Sequence, residues 1–253
     1  MITIENLNER PLSYSSLKEF AKSPAHYVEY LRKERKPTPA MAFGSLIHCM
    51  LLQPNEFNNQ FAVMPNVDKR TKEGKATYEA FVLTAEGKEV ITQDQYNEAD
   101  NLVNKIISEP HIANAIQGCN KFEQEWRAEI NGLPFRGFFD GEADDYILEV
   151  KTANDASPKT IINDFYNRQY HIQAGLYSHI SGKPIKYLII ETTAPYNVIL
   201  ADVDTSFTDF GLKEAVKHIN SFKVCLENNM FNMGYEFHME SGAFTIGLPS
   251  WVK

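Results

Sequence analysis

Between Phe135 and Lys151 the chain carries two short apolar runs separated by a five-residue acidic segment, Gly141-Glu142-Ala143-Asp144-Asp145. The flanks, Phe135-Arg136-Gly137-Phe138-Phe139-Asp140 and Tyr146-Ile147-Leu148-Glu149-Val150-Lys151, are rich in aromatic and branched residues and predict the two antiparallel strands of a hairpin. Side chains alternate faces along a strand, so Glu149 and Lys151 share one face and Val150 takes the other. Asp140, at the end of the first strand, is placed to lie beside them. Two carboxylates and an ammonium at one strand end can hold a hard divalent cation and orient a water next to it, which is what metal-assisted hydrolysis of a phosphodiester needs. A plainer reading fits the same residues: a solvated acidic turn, and a surface Glu-x-Lys ion pair.

The rest of the chain has to decide between them. With 253 residues, 43% hydrophobic and 23% charged, it is long enough for one α/β domain with a helical extension and a sizeable core. It has no apolar run of membrane-spanning length, and MITIENLNER lacks the basic-then-apolar layout of a signal peptide, so no membrane partner and a cytoplasmic location are expected. Cys49, Cys119 and Cys225 are scattered without a CxxC pair, which speaks against a disulfide framework or a Cys-only metal site and for three buried thiols. The net charge of -8 argues against a nucleic-acid partner at first sight. A local basic channel can coexist with an acidic exterior, however, and basic residues cluster at Arg32, Lys33, Arg35 and Lys36 and at Lys69, Arg70, Lys72 and Lys75.

Taken in order, Leu12 to Arg35 predicts two helices, capped by Ser13, Ser15 or Ser16 and by Ser23 with Pro24 at the first helical position. Pro37 and Pro39 break the chain before an apolar helix over Met41 to Leu52. Its one strongly polar side chain is His48, a turn after Gly44. A lone histidine on an apolar helix is more often a satisfied core residue than a ligand, and Gly44 either lets a ligand or backbone approach that face or merely relieves packing. Residues 55–70 read as irregular, Thr71 to Thr84 as a polar helix and Lys88 to Ile91 as a short extended piece. The basic residues around Gly74 suit a mobile loop that tracks a phosphate backbone. Thr92 and Gln95 form a capping box for a helix to about Ser108. Phe122 to Ile130 alternates as a strand with Glu123 and Glu125 on one face, and Gly132-Leu133-Pro134 turns it into the hairpin. Either glutamate can therefore join Asp140.

After Lys151, helices are expected from Ser157-Pro158 to about Arg168 and from Tyr170 to Ile180, the second placing Gln173 and Tyr177 on one face at i, i+4. Tyr177 can equally be a core aromatic with Gln173 at its rim. Strands over Lys186 to Thr193 and Asn197 to Val203, a long helix from Thr208 to Asn228, and a tail containing Leu248-Pro249-Ser250-Trp251 complete the chain. Strands flanked by helices around a central meander make an α/β protein with a mixed central β-sheet.

The ordered set of His48, Glu123 or Glu125, Asp140, Glu149-Val150-Lys151 and Gln173-x-x-x-Tyr177 resembles the PD-(D/E)XK nuclease superfamily. Within it the chain is similar to the RecE-like (exonuclease VIII-like) and lambda-exonuclease-like recombination exonucleases. Leu12 to Leu17, Ser23 to Tyr27, Phe43 to His48, Arg70 to Lys75 and Leu248 to Trp251 share in the resemblance. One departure is Phe139 in place of the proline usually found before the first acid.

The resemblance implies a single exonuclease domain over residues 1–253 with a restriction-endonuclease-like core. Its parts would be a mostly helical stretch to residue 110 carrying His48, a catalytic sheet and motif helix over 120–205, and a C-terminal helix and tail over 206–253. It implies Mg²⁺, with Mn²⁺ as substitute, held by Asp140, Glu149, His48 and the Val150 carbonyl. Lys151 would position the attacking water, Glu123 would be the upstream acid, with Glu125 as its alternative, and Gln173 and Tyr177 would line the site. Arg70, Lys72, Lys75 and Arg136, with Gln173 and Tyr177, are the implied DNA contacts. The implied activity is 5′ to 3′ digestion of one strand of linear double-stranded DNA, leaving 3′ overhangs. The implied partners are DNA ends, a ring-shaped homo-oligomer (trimer or tetramer) and a single-strand annealing protein of the RecT/Beta type.

Overall fold

A computed structural model describes residues 2–34, 36–239 and 245–247 of the chain; Arg35 and the Leu248 to Trp251 motif lie outside them. The N-terminal part runs α1 (Ile4–Glu9), α2 (Tyr14–Lys22), α3 (Pro24–Arg32), α4 (Pro39–Leu52), α5 (Phe57–Gln60), β1 (Phe61–Val63), α6 (Lys72–Thr84), β2 (Glu89–Ile91), α7 (Gln93–Ser108) and α8 (Pro110–Gln117). Then come β3 (Cys119–Ile130), β4 (Leu133–Ala143), β5 (Ile147–Ala153), α9 (Pro158–Asn167), α10 (Tyr170–Ser181), β6 (Ile185–Glu191), β7 (Val198–Asp202) and α11 (Thr205–Glu227).

The local chemistry of the helix starts is largely as expected. Ser13 and Ser23 accept from Ser16 and His26 N–H groups, and Thr92 with Gln95 forms a complete capping box. Four expectations need correction. Pro39 does not break the chain but occupies the first turn of α4, where its missing N–H costs nothing, and Thr38 caps it. Residues 55–70 are not wholly irregular, because α5 and β1 fall there and β1 pairs in parallel with β2. Lys72 and Lys75 sit in the first turn of a helix capped by Thr71, not in a loop. Finally, the meander residues Gly141 to Ala143 continue β4 rather than forming the turn.

The main sheet has the order β3-β4-β5-β6-β7, with β5 and β6 parallel and the other neighbours antiparallel. Helices cover both faces of this mixed α/β sheet. On one face Phe139, Ile147, Tyr187 and Ile189 pack with residues from α2, α3, α9, α10 and α11; on the other Leu148, Val150, Leu188 and Ile190 pack with α4, α7 and α8. β5 is central, and Ile147, Leu148, Glu149 and Val150 are all buried, so it reads as an apolar run with one carboxylate inside it. Among the described residues no helix is long and apolar enough to cross a membrane. The three cysteines are buried and free.

One close approach sets where α10 lies. A Cβ on Gly211 would fall 1.7 Å from the His171 carbonyl oxygen, and one on Gly175 would fall 2.3 Å from Leu212 N. Two helices meeting backbone to backbone leave no room for a methyl group. Gly211→Ala should therefore destabilise the protein by about 1–3 kcal/mol through overpacking, despite alanine's better helix propensity. The check is a lowered urea midpoint; an unchanged or raised midpoint would show that the helices part freely.

His171 lies at this crossing, 5% exposed and enclosed by Tyr166, Phe207 and Phe210. Burial pushes its pKa below the ordinary value, and Glu214 only partly opposes that. A depressed histidine binds its proton more readily in the unfolded chain, so the stability it confers is present above the unfolded pKa of about 6.5 and is lost as pH falls through the folded value. His171→Phe should flatten the loss of stability below that pH in urea titrations. A profile identical to the unsubstituted protein would refute the assignment.

Candidate metal centre and its cleft

The hairpin of β4 and β5 is paired in register at only two positions, Gly141 with Leu148 and Glu142 with Ile147. Beyond them the strands part, and the far end of β4 bonds instead to Leu12, which accepts from Arg136 N–H and donates to the Pro134 carbonyl. At the parting, side chains take over the ladder. Val150 N–H donates to Asp140 Oδ2 at 2.7 Å, and Asp140 N–H approaches Glu149 Oε1 at 3.4 Å. The splay is thus what brings Asp140 and Glu149 together.

Glu149 is 1% exposed and is held by donors. Lys151 Nζ donates to its Oε2 at 2.9 Å and Gln173 Nε2 at 2.8 Å, while Lys151 Nζ also lies 3.9 Å from Asp140 Oδ2. Burial and the neighbouring Asp140 carboxylate push Glu149 up to about 8 against the pull of Lys151. Burial also acts to raise Asp140, but Lys151, His48 and the Val150 N–H together bring it below the usual carboxylate range. Lys151 would be lowered by burial alone; Glu149 and Asp140 hold it well above its ordinary value.

On α4, Gly44 faces Thr152: an added Cβ would come 3.1 Å from Oγ1. This lets the helix lie close to the end of β5 and brings His48 over Asp140. His48 is not a satisfied core residue. Its Nδ1 lies 3.1 Å from Glu123 Oε1 and its Nε2 3.2 Å from Asp140 Oδ2, with 27% of the side chain exposed. Burial lowers its pKa, but Asp140 and Glu123 outweigh burial and raise it; Glu123 is itself raised by burial.

The structure separates the two candidate glutamates. Phe122 packs on the α4–α7 face, whereas Trp126, Ala128 and Ile130 pack on the opposite one. The alternation is interrupted between them, where Glu123 takes φ 50. A left-handed residue breaks the pleat, so Glu123 and Glu125 do not serve one site. Glu123 joins His48, while Glu125 pairs with exposed Arg127 at 2.8 Å.

One ligand atom from each of His48, Glu123 and Asp140 lies within 4.8 Å of the others. Among the described residues Glu123 Oε1 is buried yet receives no hydrogen bond, its contact with His48 Nδ1 being an ion-pair approach. A mixed nitrogen and carboxylate-oxygen set with one orphaned oxygen fits a divalent cation. Glu149 stands behind this trio, and Val150 lines the adjoining cleft.

The other expected residues are placed as follows. Gln173 and Tyr177 are 7% and 6% exposed, so they support the site from behind rather than facing a DNA surface. Tyr177 packs edge-on against Trp126 and Phe139. Arg70 is folded back on Asp68 through its guanidinium, and Arg136 stands opposite Arg127 on β4, away from the cleft lining. The cleft, of about 720 Å³, opens at the C-terminal end of β5 between α4 and the α9–α10 turn, where open α/β sheets place ligands.

His48→Ala and Glu123→Gln should each weaken Mn²⁺ binding about 10–100-fold in titration calorimetry, and Glu125→Gln should leave it as it is. Equal losses at the two glutamates would overturn their division.

Residues 13–234 match the family described as a PDDEXK-like domain of unknown function (DUF3799). Among curated proteins no sequence match is found. Among solved structures, a "Putative exonuclease" from Eubacterium rectale superposes with a TM-score of 0.60 at 14% identity, over 90% of this chain and 87% of that one. Another, SSO0001, aligns over 72% of this chain and 86% of its own at 14% identity with a TM-score of 0.29, too low to bear on the fold. The family match spans most of the chain and every residue of the metal centre, and the chain belongs to this PDDEXK-like family.

Proposed function

We propose that the chain is a Mg²⁺-dependent exodeoxyribonuclease, with Mn²⁺ as a substitute ion. It would digest one strand of linear double-stranded DNA in the 5′ to 3′ direction and leave 3′ overhangs. The observation that carries this reading is the meeting, beside one open cleft, of three metal-ligating side chains with the Glu149–Lys151 pair. A divalent cation held by His48, Glu123 and Asp140 would neutralise phosphodiester charge and acidify the attacking water.

The chain's own groups divide the remaining work. Lys151 and His48, with the Val150 N–H, hold Asp140 in its ionised form, and that N–H fixes the carboxylate in place. Glu149 aims the Lys151 ammonium toward the cleft, where it steadies the attacking water and the negative charge that grows on the phosphoryl oxygens. Gln173 holds Glu149, and Tyr177 packs behind it. The RecE-like resemblance supports the 5′ to 3′ polarity, and the name exonuclease borne by the Eubacterium rectale protein is in keeping with it. A ring of three or four copies around the duplex would keep the substrate at hand between cuts, and an annealing protein would take up the overhang.

Asp140→Asn and Lys151→Ala should each lower Mg²⁺-dependent release of nucleotides from linear duplex at least about 100-fold. With 5′-labelled and 3′-labelled ends run side by side, the 5′ label should leave first and a closed circle should stay intact. Cutting of the circle would overturn the exonuclease reading, and full activity in both variants would overturn the site.

A further inference from the structure

The cleft is longer than the metal centre requires. Past Lys151 its wall continues through Asn154 and Thr160 to Arg168 and Tyr170. Among the described lining residues the permanent cations are Lys151 and Arg168. Lys151 is committed: 14% of its side chain is exposed and its ammonium is held between Glu149 and Asp140. Arg168 is not. Its side chain is 61% exposed, and the one carboxylate it pairs with among the described residues, Asp164, stays 3.8 Å from Nε. Asp155, the other acid on this wall, is taken up by Ser157 N–H and the Thr160 hydroxyl.

The Arg168 backbone is as fixed as its head is free. Its N–H donates to the Asp164 carbonyl, and Tyr14, from a helix more than a hundred residues earlier, donates its hydroxyl to the Arg168 carbonyl at 2.7 Å. The next residue, Gln169, holds φ 60 and ψ 30, the left-handed position that commonly ends a helix, here on a residue other than glycine. Tyr170 then ties the turn to the metal centre, with its ring 5.5 Å from Lys151 Nζ. A basic residue at the end of α9 is expected to favour the helix dipole in any case. The dipole accounts for the charge and the helix end for the left-handed turn; the anchoring of that turn by Tyr14 goes beyond what a helix end needs.

We propose that Arg168 grips a backbone phosphate of the bound nucleic-acid strand, next to the phosphate at the metal centre, and so sets how far the strand advances into the cleft. The planar guanidinium offers two parallel N–H donors to two phosphate oxygens, and the anchored turn supplies the fixed origin such a fork needs. Because the nearby acid is loosely placed, a phosphate displaces it at small cost. This assignment rests on the nuclease reading above.

The test is fluorescence anisotropy of a short labelled duplex against salt concentration, with Ca²⁺ in place of Mg²⁺ so that the cleft carboxylates are neutralised while cleavage is suppressed, on the full chain and on Arg168→Gln and Arg168→Lys. Loss of one phosphate contact should raise Kd at least tenfold at moderate salt in Arg168→Gln and lower the slope of log Kd against log salt by about 0.9. Arg168→Lys should keep the unsubstituted slope, since its charge remains, while binding several-fold more weakly for want of the fork. It also decides the matter should the glutamine variant fold poorly. An unsubstituted slope and Kd in Arg168→Gln, with duplex bound and cleaved normally, would overturn this assignment alone. Absence of duplex binding by the unsubstituted chain would overturn the nuclease reading and this assignment together.

Discussion

A carboxylate in the middle of a central strand is the constraint around which this structure is arranged. Glu149 is 1% exposed between Leu148 and Val150, and an isolated charge there would be untenable. Three groups draw it back toward the charged form against burial and Asp140: Lys151 two residues along the same strand, Gln173 from α10, and the Asp140 N–H across the splayed hairpin. Each depends on a larger feature. The lysine needs the strict face alternation of β5, the backbone N–H needs β4 and β5 to part after two pairs, and the glutamine needs α10 seated by its contact with α11 at Gly175 and Gly211. Removing one partner of a buried pair costs about 3–5 kcal/mol, more than a lost helix cap at about 1 kcal/mol. The buried network therefore outranks any single helix cap.

How the metal centre meets this network follows from the same geometry. Asp140 faces both ways, accepting from Val150 N–H inside the sheet and standing 3.2 Å from His48 Nε2 at its edge. Side chains donated by three separated parts of the chain, α4, β3 and β4, converge only because Gly44 lets α4 approach Thr152 and Glu123 breaks the pleat of β3. Each is a small local departure from regular structure. Each is placed where a regular helix or strand would have kept the ligands apart.

These departures mark the boundary of what the sequence discloses. Caps and periodicity are local, so α2, α3, α7 and α11 can be read from a few adjacent residues, and so can the face shared by Glu149 and Lys151. The short helices α1 and α8, of 6 and 8 residues, are too short for a periodicity to declare itself in the sequence. Glu123 and Glu125 could not be told apart because strand logic assumes a pleat that φ 50 interrupts. Arg168 carries no sequence signal at all: an exposed arginine at a helix end is ordinary, and only the cleft and the anchoring of its turn by Tyr14 single it out.

Charge sets a last constraint on the proposed activity. A chain of net charge -8 offers DNA no long-range attraction as a whole. Several of its basic side chains are already engaged, Arg70 with Asp68, Arg127 with Glu125, Lys183 with Glu142 and Lys186 with Asp202. Binding energy for a polyanion must then come from the cleft itself, where carboxylates would repel it unless a cation is present. This ties substrate affinity to metal loading more closely than in a basic nuclease. Under the proposed activity it would also leave unproductive binding along the outer surface weak, so that a duplex would be held where its backbone can reach the metal centre and the cations of the cleft wall together.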